Sequence, residues 1–474
     1  MQQVTAQRIR YAIADYLTAN AGFCLFDIIR YYTIPSSIRG THLSDFMVLT
    51  PVLLEQIFVP ILIVALYALF GSYNRSNTLY KSRLEEMFTT LTVSFIGMLA
   101  VFFTALINDD IPERITNYEL MAALFLSLFV PTYLVRMVIL TANARRIRRG
   151  DYVIDTVVIG AGKDNEQRLR KIMRSANRSG LKLIAAIDTD GNAEGDNILG
   201  LPVYHSDDVL KTCRDLGAQA VVILPSIDGL SRTTAMLDRL YLLDKPLFVT
   251  PDLHVMFGLR PRISQVAAEP VIDITNARIS AAAINFKRVG DIVVSALSLI
   301  VLSPVLAAIA IAVKCDSKGP AIYRQQRIGL HKKPFMINKF RTMRIDAEDC
   351  GPALSRHDDP RITPLGHFLR KYRLDELPQF WNVLIGDMSL VGPRPEREYY
   401  IRQIIARHPA YSLIHQVRPG ITSWGMVKYG YASDVDQMLE RLEYDLLYIE
   451  NVSLGVDLKI LFYTVSTVVT GKGL

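Results

Sequence analysis

Apolar positions run in long unbroken stretches at the start of the chain and in shorter, alternating ones later. Phe88 to Ile107 is twenty residues without a charge, long enough as a helix to cross a hydrocarbon core of about 30 Å. Leu120 to Val135 continues to Leu140 with Arg136 alone inside, and Leu49 to Phe70 carries only Glu55. A fourth window, Tyr11 to Ile34, contains Asp15, Asp27 and Arg30; the last two stand three apart and can pair on one helix face. The pattern predicts a membrane α-helical four-helix bundle over residues 1–145. If all four windows cross, nine basic residues (Arg8, Arg10, Arg75, Lys81, Arg83, Arg145, Arg146, Arg148, Arg149) fall on one side, against Arg39 and Arg114 on the other. That asymmetry puts the N-terminus and everything after residue 145 on the cytoplasmic face. No short apolar region ends in a small-residue cleavage site, so no removed signal peptide is expected.

Beyond the Arg145–Arg149 cluster the period changes. Asp155 to Gly160, Leu181 to Ile187 and Ala220 to Leu224 read as buried strands, with a helical stretch around Arg168 to Met173 between the first two. Such alternation predicts a parallel, Rossmann-like α/β domain over residues 146–275. A dinucleotide fingerprint needs three glycines, for the turn, the pyrophosphate and helix packing. Gly160-Ala-Gly162 supplies two, but Asn165 stands at the third position and Lys163 and Asp164 crowd the loop. The domain is expected to be degenerate, serving as a scaffold, regulator or dimerisation module; a homodimer is one outcome.

A fifth apolar segment, Ile292 to Val313, is twenty-two residues without a charge. Lys287 and Arg288 precede it, and nine Lys/Arg against one acid occupy Lys314 to Arg344, so both flanks prefer the cytoplasmic face. Ser303-Pro304 lies near its middle, where proline removes a backbone hydrogen bond and bends the helix. The expectation is a re-entrant helix over about 287–314, bent at Ser303 and Pro304, rather than a fifth span.

Composition adds two constraints. Half the residues are apolar and the net charge is +7, which points to an anionic membrane surface before nucleic acid; no nucleic acid is expected as a partner. The four cysteines (Cys24, Cys213, Cys315, Cys350) are widely spaced with no C-x-x-C, which excludes a disulfide-stapled fold and a zinc ribbon. His331, His357, His367 and His408 show no ligand spacing.

The chemistry gathers in residues 276–474. Phe335 to Arg341 alternates as a strand, which places Lys339 and Arg341 on one face. Thr363-Pro364 is a helix start leading to Arg370. In Leu-Asp375-Glu376-Leu-Pro378, Asp375 is placed like an N-cap, with Pro378 in the first turn and both carboxylates where backbone N–H groups favour anions. Gly386 to Gly392 reads as a turn and strand. Pro393 and Pro395 then hold Arg394 extended, ready to grip phosphate at little ordering cost. Carboxylates, a fixed arginine and a basic strand beside a membrane insertion suit phosphoryl transfer with a hard divalent cation. Magnesium uses one or two carboxylates plus substrate phosphates.

The segments KRVGDIVVSALSLIVLSP, KFRTMR, LRKYRLDELPQFWNVLIGDMSLVGPRPE and RPGIT resemble the bacterial sugar transferase family, the monotopic phosphoglycosyl transferases. With four preceding spans and an α/β domain, the whole chain is similar to the large polyprenyl-phosphate hexose-1-phosphate transferase subgroup. The resemblance implies a mainly α catalytic domain with a re-entrant helix. It also implies Asp375 as nucleophile and Glu376 as its acidic partner, both at a Mg2+ site, with phosphate held by Arg370 and Arg394; Lys339 and Arg341 are lesser candidates for the same role. The implied substrates are a UDP-sugar, which loses UMP to leave a sugar phosphate on the aspartate, and undecaprenyl phosphate in the membrane. The implied place is the bacterial inner membrane, at the start of exopolysaccharide, capsule or O-antigen type synthesis. One departure is Ser423-Trp-Gly-Met-Val-Lys428 after RPGIT, so the sugar is not carried over. A membrane-anchored NAD-dependent nucleotide-sugar dehydratase would need an intact glycine fingerprint, which the middle domain lacks. A non-catalytic scaffold is the remaining rival, against which the intact motifs argue.

Overall fold

A computed structural model describes residues 2–33, 42–74, 83–104, 114–151, 153–162, 165–189, 197–205, 208–224, 236, 239–243, 245–250, 263–264, 271–273, 281–348, 359–430, 432 and 434–469. Four helices at the start are long and apolar enough to cross a membrane: Gln2–Thr33, Thr50–Leu69, Arg83–Thr104 and Arg114–Arg148. Several loop charges behind the expected orientation (Arg39, Arg75, Lys81) lie outside the described residues, as do Lys163, Asp164, His357 and Cys350.

Phe23, Phe26, Ile63, Tyr67, Val93, Leu124 and Leu128 form the bundle core. Among the described residues its buried charges gather in two knots. Arg136 bonds Asp15 through Nε (2.7 Å) and Nη2 (2.6 Å), reaches Glu86 through Nη1, and lies 3.5 Å over the Tyr67 ring. Tyr73 donates to the same Asp15 at 2.6 Å. In the second knot the expected Asp27–Arg30 pair is present at 3.8 Å, but Arg30 sits closer to Glu55, at 2.8 Å. Gln56 donates to Asp27 at 2.6 Å. Charges at such depth persist because they are paired.

The middle region is a mixed α/β domain. Its strands are β1 (Ile154–Ile159), β2 (Leu181–Asp188), β3 (Asn197–Ile198), β4 (Leu201–His205), β5 (Ala220–Ile223), β6 (Leu247–Val249), β7 (Ile263–Ser264) and β8 (Val271–Asp273). They order as β3-β4-β2-β1-β5-β6-β8-β7. The five inner strands, β4 to β6, run parallel, and both faces are buried. Gly160 follows β1 at φ +80°, and a Cβ there would meet the Leu224 carbonyl oxygen at 2.4 Å. Asn165 turns its amide back onto the Gly160 carbonyl at 2.9 Å. Asn165, at the third glycine position of the fingerprint, thus bonds the carbonyl of the first.

The last region begins with two helices, Ala281–Val301 and Ser303–Asp316, which meet at 63°. Pro304 has no N–H to give the Ile300 carbonyl, and Ser303 Oγ donates to that carbonyl instead, at 2.8 Å. The Ser-Pro pair thus makes the bend and satisfies it. At its start the pair is fastened on two sides. Asn285 donates to the carbonyls of Ala68 (2.7 Å) and Leu69 (3.3 Å), which end a bundle helix. Lys287 pairs with Asp457, Arg288 bonds the carbonyls of Val383 and Leu384, and Asp291 accepts from the Leu390 amide. The rest is mainly helical, around β9 (Ile322–Ile328) paired antiparallel with β10 (Pro334–Phe340), and β11 (Ser389–Val391) paired parallel with β12 (Gly420–Thr422).

Candidate active site

The Asp375–Glu376 pair is positioned by the short helix on its C-terminal side. Asn382, on that Gln379–Ile385 helix, bonds the Met336 carbonyl (2.7 Å) and accepts from the Asn338 amide (3.0 Å), so the helix is bolted to β10. Asp375 is not an N-cap: Pro378 is, and the two acids occupy the separate 3-10 turn Leu374–Glu376. The turn is entered through Arg373 in the left-handed region, φ +53°. That conformation costs on the order of 1 kcal/mol and carries Arg373 Nη1 to 3.5 Å from Glu376. Side-chain cations, rather than helical N–H groups, therefore hold Glu376.

The two carboxylates differ in environment although both are buried. Glu376 meets Lys339 at 2.7 Å, Arg394 at 3.3 Å and Arg373 at 3.5 Å. Burial works against its charge, but these three cations outweigh it and hold the group well below the usual carboxylate range. Asp375 has no hydrogen bond or ion pair among the described residues. Burial first, and the Glu376 charge second, push it above the usual range. Pairs of acids pushed apart in this way mark sites of chemistry more often than sites of stability.

Asp375 lines a cavity of about 390 Å³, a size that fits a small-molecule ligand. Seven arginines also line it: Arg327, Arg341, Arg344, Arg370, Arg394, Arg397 and Arg441, with Lys339. Arg370, in the last turn of the Pro364–Lys371 helix, is steadied by Thr342 Oγ1 at 2.9 Å. That helix starts as expected, with Thr363 accepting from the Gly366 amide at 3.0 Å. Arg394 is braced by Glu376 and Met426 Sδ (3.3 Å each). The flanking proline carbonyls are also used: Pro393 accepts from Gly420, and Pro395 from Arg327. Lys339 lies in β10, while Arg341 is just past its end and turns to Ser317, so the two share the cavity but not a strand face.

RPGIT supplies β12, whose Gly420 and the facing Gly392 pass so closely that a Cβ on Gly420 would come within 2.1 Å of the Gly392 nitrogen. The far end of the cavity was not legible in the motifs. There Glu396 bridges Arg441 (2.6 Å) and Arg327 (3.0 Å). Alternation along Ile322–Ile328 also faces Tyr323, Gln325 and Arg327 into the cavity. Tyr444 and Asn451 stay out of the cavity lining, and Asp445 accepts from the Gly425 amide at 3.3 Å. Among the described residues no cluster of three His, Cys, Asp or Glu could hold a metal ion.

A cationic cavity with one unpaired buried carboxylate, beside a bent apolar helix pair, defines a membrane-associated phosphate-handling transferase. Residues 282–471 match the family model "Bacterial sugar transferase", and residues 151–231 match "CoA binding domain". A UDP-glucose:undecaprenyl-phosphate glucose-1-phosphate transferase of Klebsiella pneumoniae is 42% identical over 217 residues, 45% of this chain and 47% of that protein. A UDP-N-acetylgalactosamine-undecaprenyl-phosphate N-acetylgalactosaminephosphotransferase of Aeromonas hydrophila is 43% identical over 187 residues, 40% and 44%. The matched segments thus span about half the length of these two relatives. A UDP-glucose:undecaprenyl-phosphate glucose-1-phosphate transferase of Caulobacter vibrioides is 42% identical over 186 residues, 39% of this chain and 70% of that protein. The chain belongs to the bacterial sugar transferase family.

Proposed function

We propose that the protein transfers a sugar 1-phosphate from a UDP-sugar to undecaprenyl phosphate and releases UMP, beginning a surface glycan at the cytoplasmic face of a bacterial inner membrane. The observation that carries this reading is the unpaired, buried Asp375 carboxylate facing a cavity of arginines, with Glu376 locked beside it. In the first half-reaction an Asp375 oxygen attacks the β-phosphorus. A carboxylate–phosphorus bond forms, the bond to the bridging oxygen breaks, and its electron pair leaves with UMP. In the second, an oxygen of the lipid phosphate attacks that phosphorus and the carboxylate departs, leaving a lipid diphosphate-sugar. Splitting one transfer into two is the use of a covalent nucleophile.

Lys339, Arg370 and Arg394 offset the repulsion between carboxylate and diphosphate. The Glu376 charge keeps three of the surrounding cations in place without competing as nucleophile. The donor set also fits magnesium, which takes few protein carboxylates and completes its shell from substrate phosphates. Asp375 would hold it, since the Glu376 oxygens are committed to cations, and the ion would supply further neutralisation of phosphate charge. The 63° bend supports a pair that enters one leaflet and returns, keeping Lys287 and Lys314 on the same side. The middle domain is read as a Rossmann-like scaffold. Asp375→Asn in the full chain should abolish UMP release and the acid-stable, hydroxylamine-labile protein label formed from radiolabelled UDP-sugar. Normal turnover in that variant would sink the assignment.

A further inference from the structure

The two half-reactions need two phosphates brought to one carboxylate, the first on a soluble nucleotide and the second on an isoprenoid chain. Among the cations lining the cavity, Arg341 has the most buried donors without a hydrogen-bond partner, two against one on Arg441. Arg341 is 7% exposed. Its Nη2 bonds the Ser317 carbonyl (2.6 Å) and Oγ (2.9 Å). Its Nε and Nη1 are buried with no hydrogen-bond partner. Leaving charged donors buried and unsatisfied costs more than leaving neutral ones so, and such a group in a native fold calls for an explanation. Lys339 and Arg394, by contrast, are both committed to Glu376.

The surroundings say which anion would satisfy it. Ser317 caps the second half of the bent helix pair, so the guanidinium sits at the foot of the membrane-facing element. Gly319 crosses over it at φ +125°, where a Cβ would lie 2.1 Å from Nη1 and 2.8 Å from Ile345 Cδ1. Pro320, Met343, Ile345 and Ala347 line the cavity beside it, with Arg344, and Ile345 is largely exposed. A buried, unsatisfied cation next to an apolar lip fits a phosphate monoester that carries a hydrocarbon chain. The neighbouring wall is more polar: Tyr323, Gln325 and Arg327 follow one another down β9, spanning about 13 Å at the rise of a strand, and lead away from the helix pair.

Building on the proposed two-step transfer, we infer that Arg341 receives the phosphate of the lipid substrate, in the second half-reaction only, at the mouth formed by Ser317, Gly319 and Ile345. The nucleotide half of the first substrate then lies along the β9 wall. Bonded by a free N–H of the guanidinium, the lipid phosphate presents an oxygen to the phosphorus on Asp375. The new phosphorus–oxygen bond forms as the carboxylate–phosphorus bond breaks, and the carboxylate keeps the electron pair.

The half-reactions separate in one experiment. Full-length protein in nanodiscs is assayed without lipid substrate for exchange of radiolabelled UMP into UDP-sugar, and with undecaprenyl phosphate for complete transfer. Arg341→Ala should retain exchange within about threefold and lose at least a hundredfold in transfer. Arg341→Lys should do the same more mildly, with the loss mostly in KM for undecaprenyl phosphate, and it serves if the alanine variant fails to fold. Gly319→Ala should lie between the two. Equal loss of exchange and transfer in Arg341→Lys would overturn the assignment and give Arg341 to the nucleotide. Transfer undiminished in both Arg341 variants would overturn it too. Absence of UMP exchange in the unaltered protein would instead fault the covalent reading on which the inference rests.

Discussion

Asp375 carries a conflict between function and stability. Its carboxyl is raised above the usual range in the fold, so the folded chain holds that proton more tightly than the unfolded chain does. By linkage the group then costs stability at neutral pH, and the cost fades as pH falls towards its unfolded value of about 3.9. Asp375→Asn should therefore raise the thermal midpoint at pH 7.5 by the equivalent of roughly 1–3 kcal/mol, the scale of a buried group lacking its partner. The gain should vanish near pH 4, as read by thermal unfolding in detergent without divalent cations. Catalysis has the same window with the opposite sense, because only the ionised carboxylate attacks. Glu376→Gln removes the neighbouring charge, so whatever single-turnover UMP release remains should show its acid limb at lower pH. An acid limb that moves up, or stays, would remove Glu376 as a cause. At this scale the acids themselves were readable from LDELPQ, but their environment was not. Local spacing suggested a helix cap, whereas the stabilising cations come from residues as far away in sequence as Lys339 and Arg394.

Among elements, the bent pair shows how little sequence is needed to set a shape. As one straight helix, Ala281–Asp316 would be about 54 Å long at 1.5 Å per residue, well beyond a hydrocarbon core of about 30 Å. Ser303→Ala/Pro304→Ala restores the amide that Ile300 lacks and removes its substitute. Cys315, exposed at the far end of the pair, reports the outcome once the other cysteines are replaced by serine. In intact cells Cys315 should resist an impermeant maleimide in the parent chain and react in the double variant. Reaction in both would mean that the pair crosses. Pro304 made the bend legible in advance. The β9 wall was not, because Tyr323, Gln325 and Arg327 match no motif and gain meaning only from their register against Lys339 and Ile337. Glu396 and Arg441 were hidden for a similar reason, their contact being made across forty-five residues.

For the whole molecule, one side chain joins all four bundle helices. Arg136 joins Asp15, Glu86 and Tyr67, one residue from each of the other three helices. Arg136→Met should cost about 3–5 kcal/mol because it leaves buried carboxylates unpaired. The triple variant Asp15→Leu/Glu86→Leu/Arg136→Met should recover much of that loss. Thermal unfolding in detergent compares them, and a triple variant weaker than the single one would refute the pairing. Single apolar windows foretold the four helices but not this knot, since Asp15 and Arg136 are 121 residues apart. The bond from Asn285 to the last carbonyls of the Thr50–Leu69 helix has a mechanical consequence. A crossing helix cannot slide along the bilayer normal without dragging its polar ends into oil. Whatever hangs from its final turn inherits its height, so a bundle that crosses the bilayer would set the depth at which the bent pair begins.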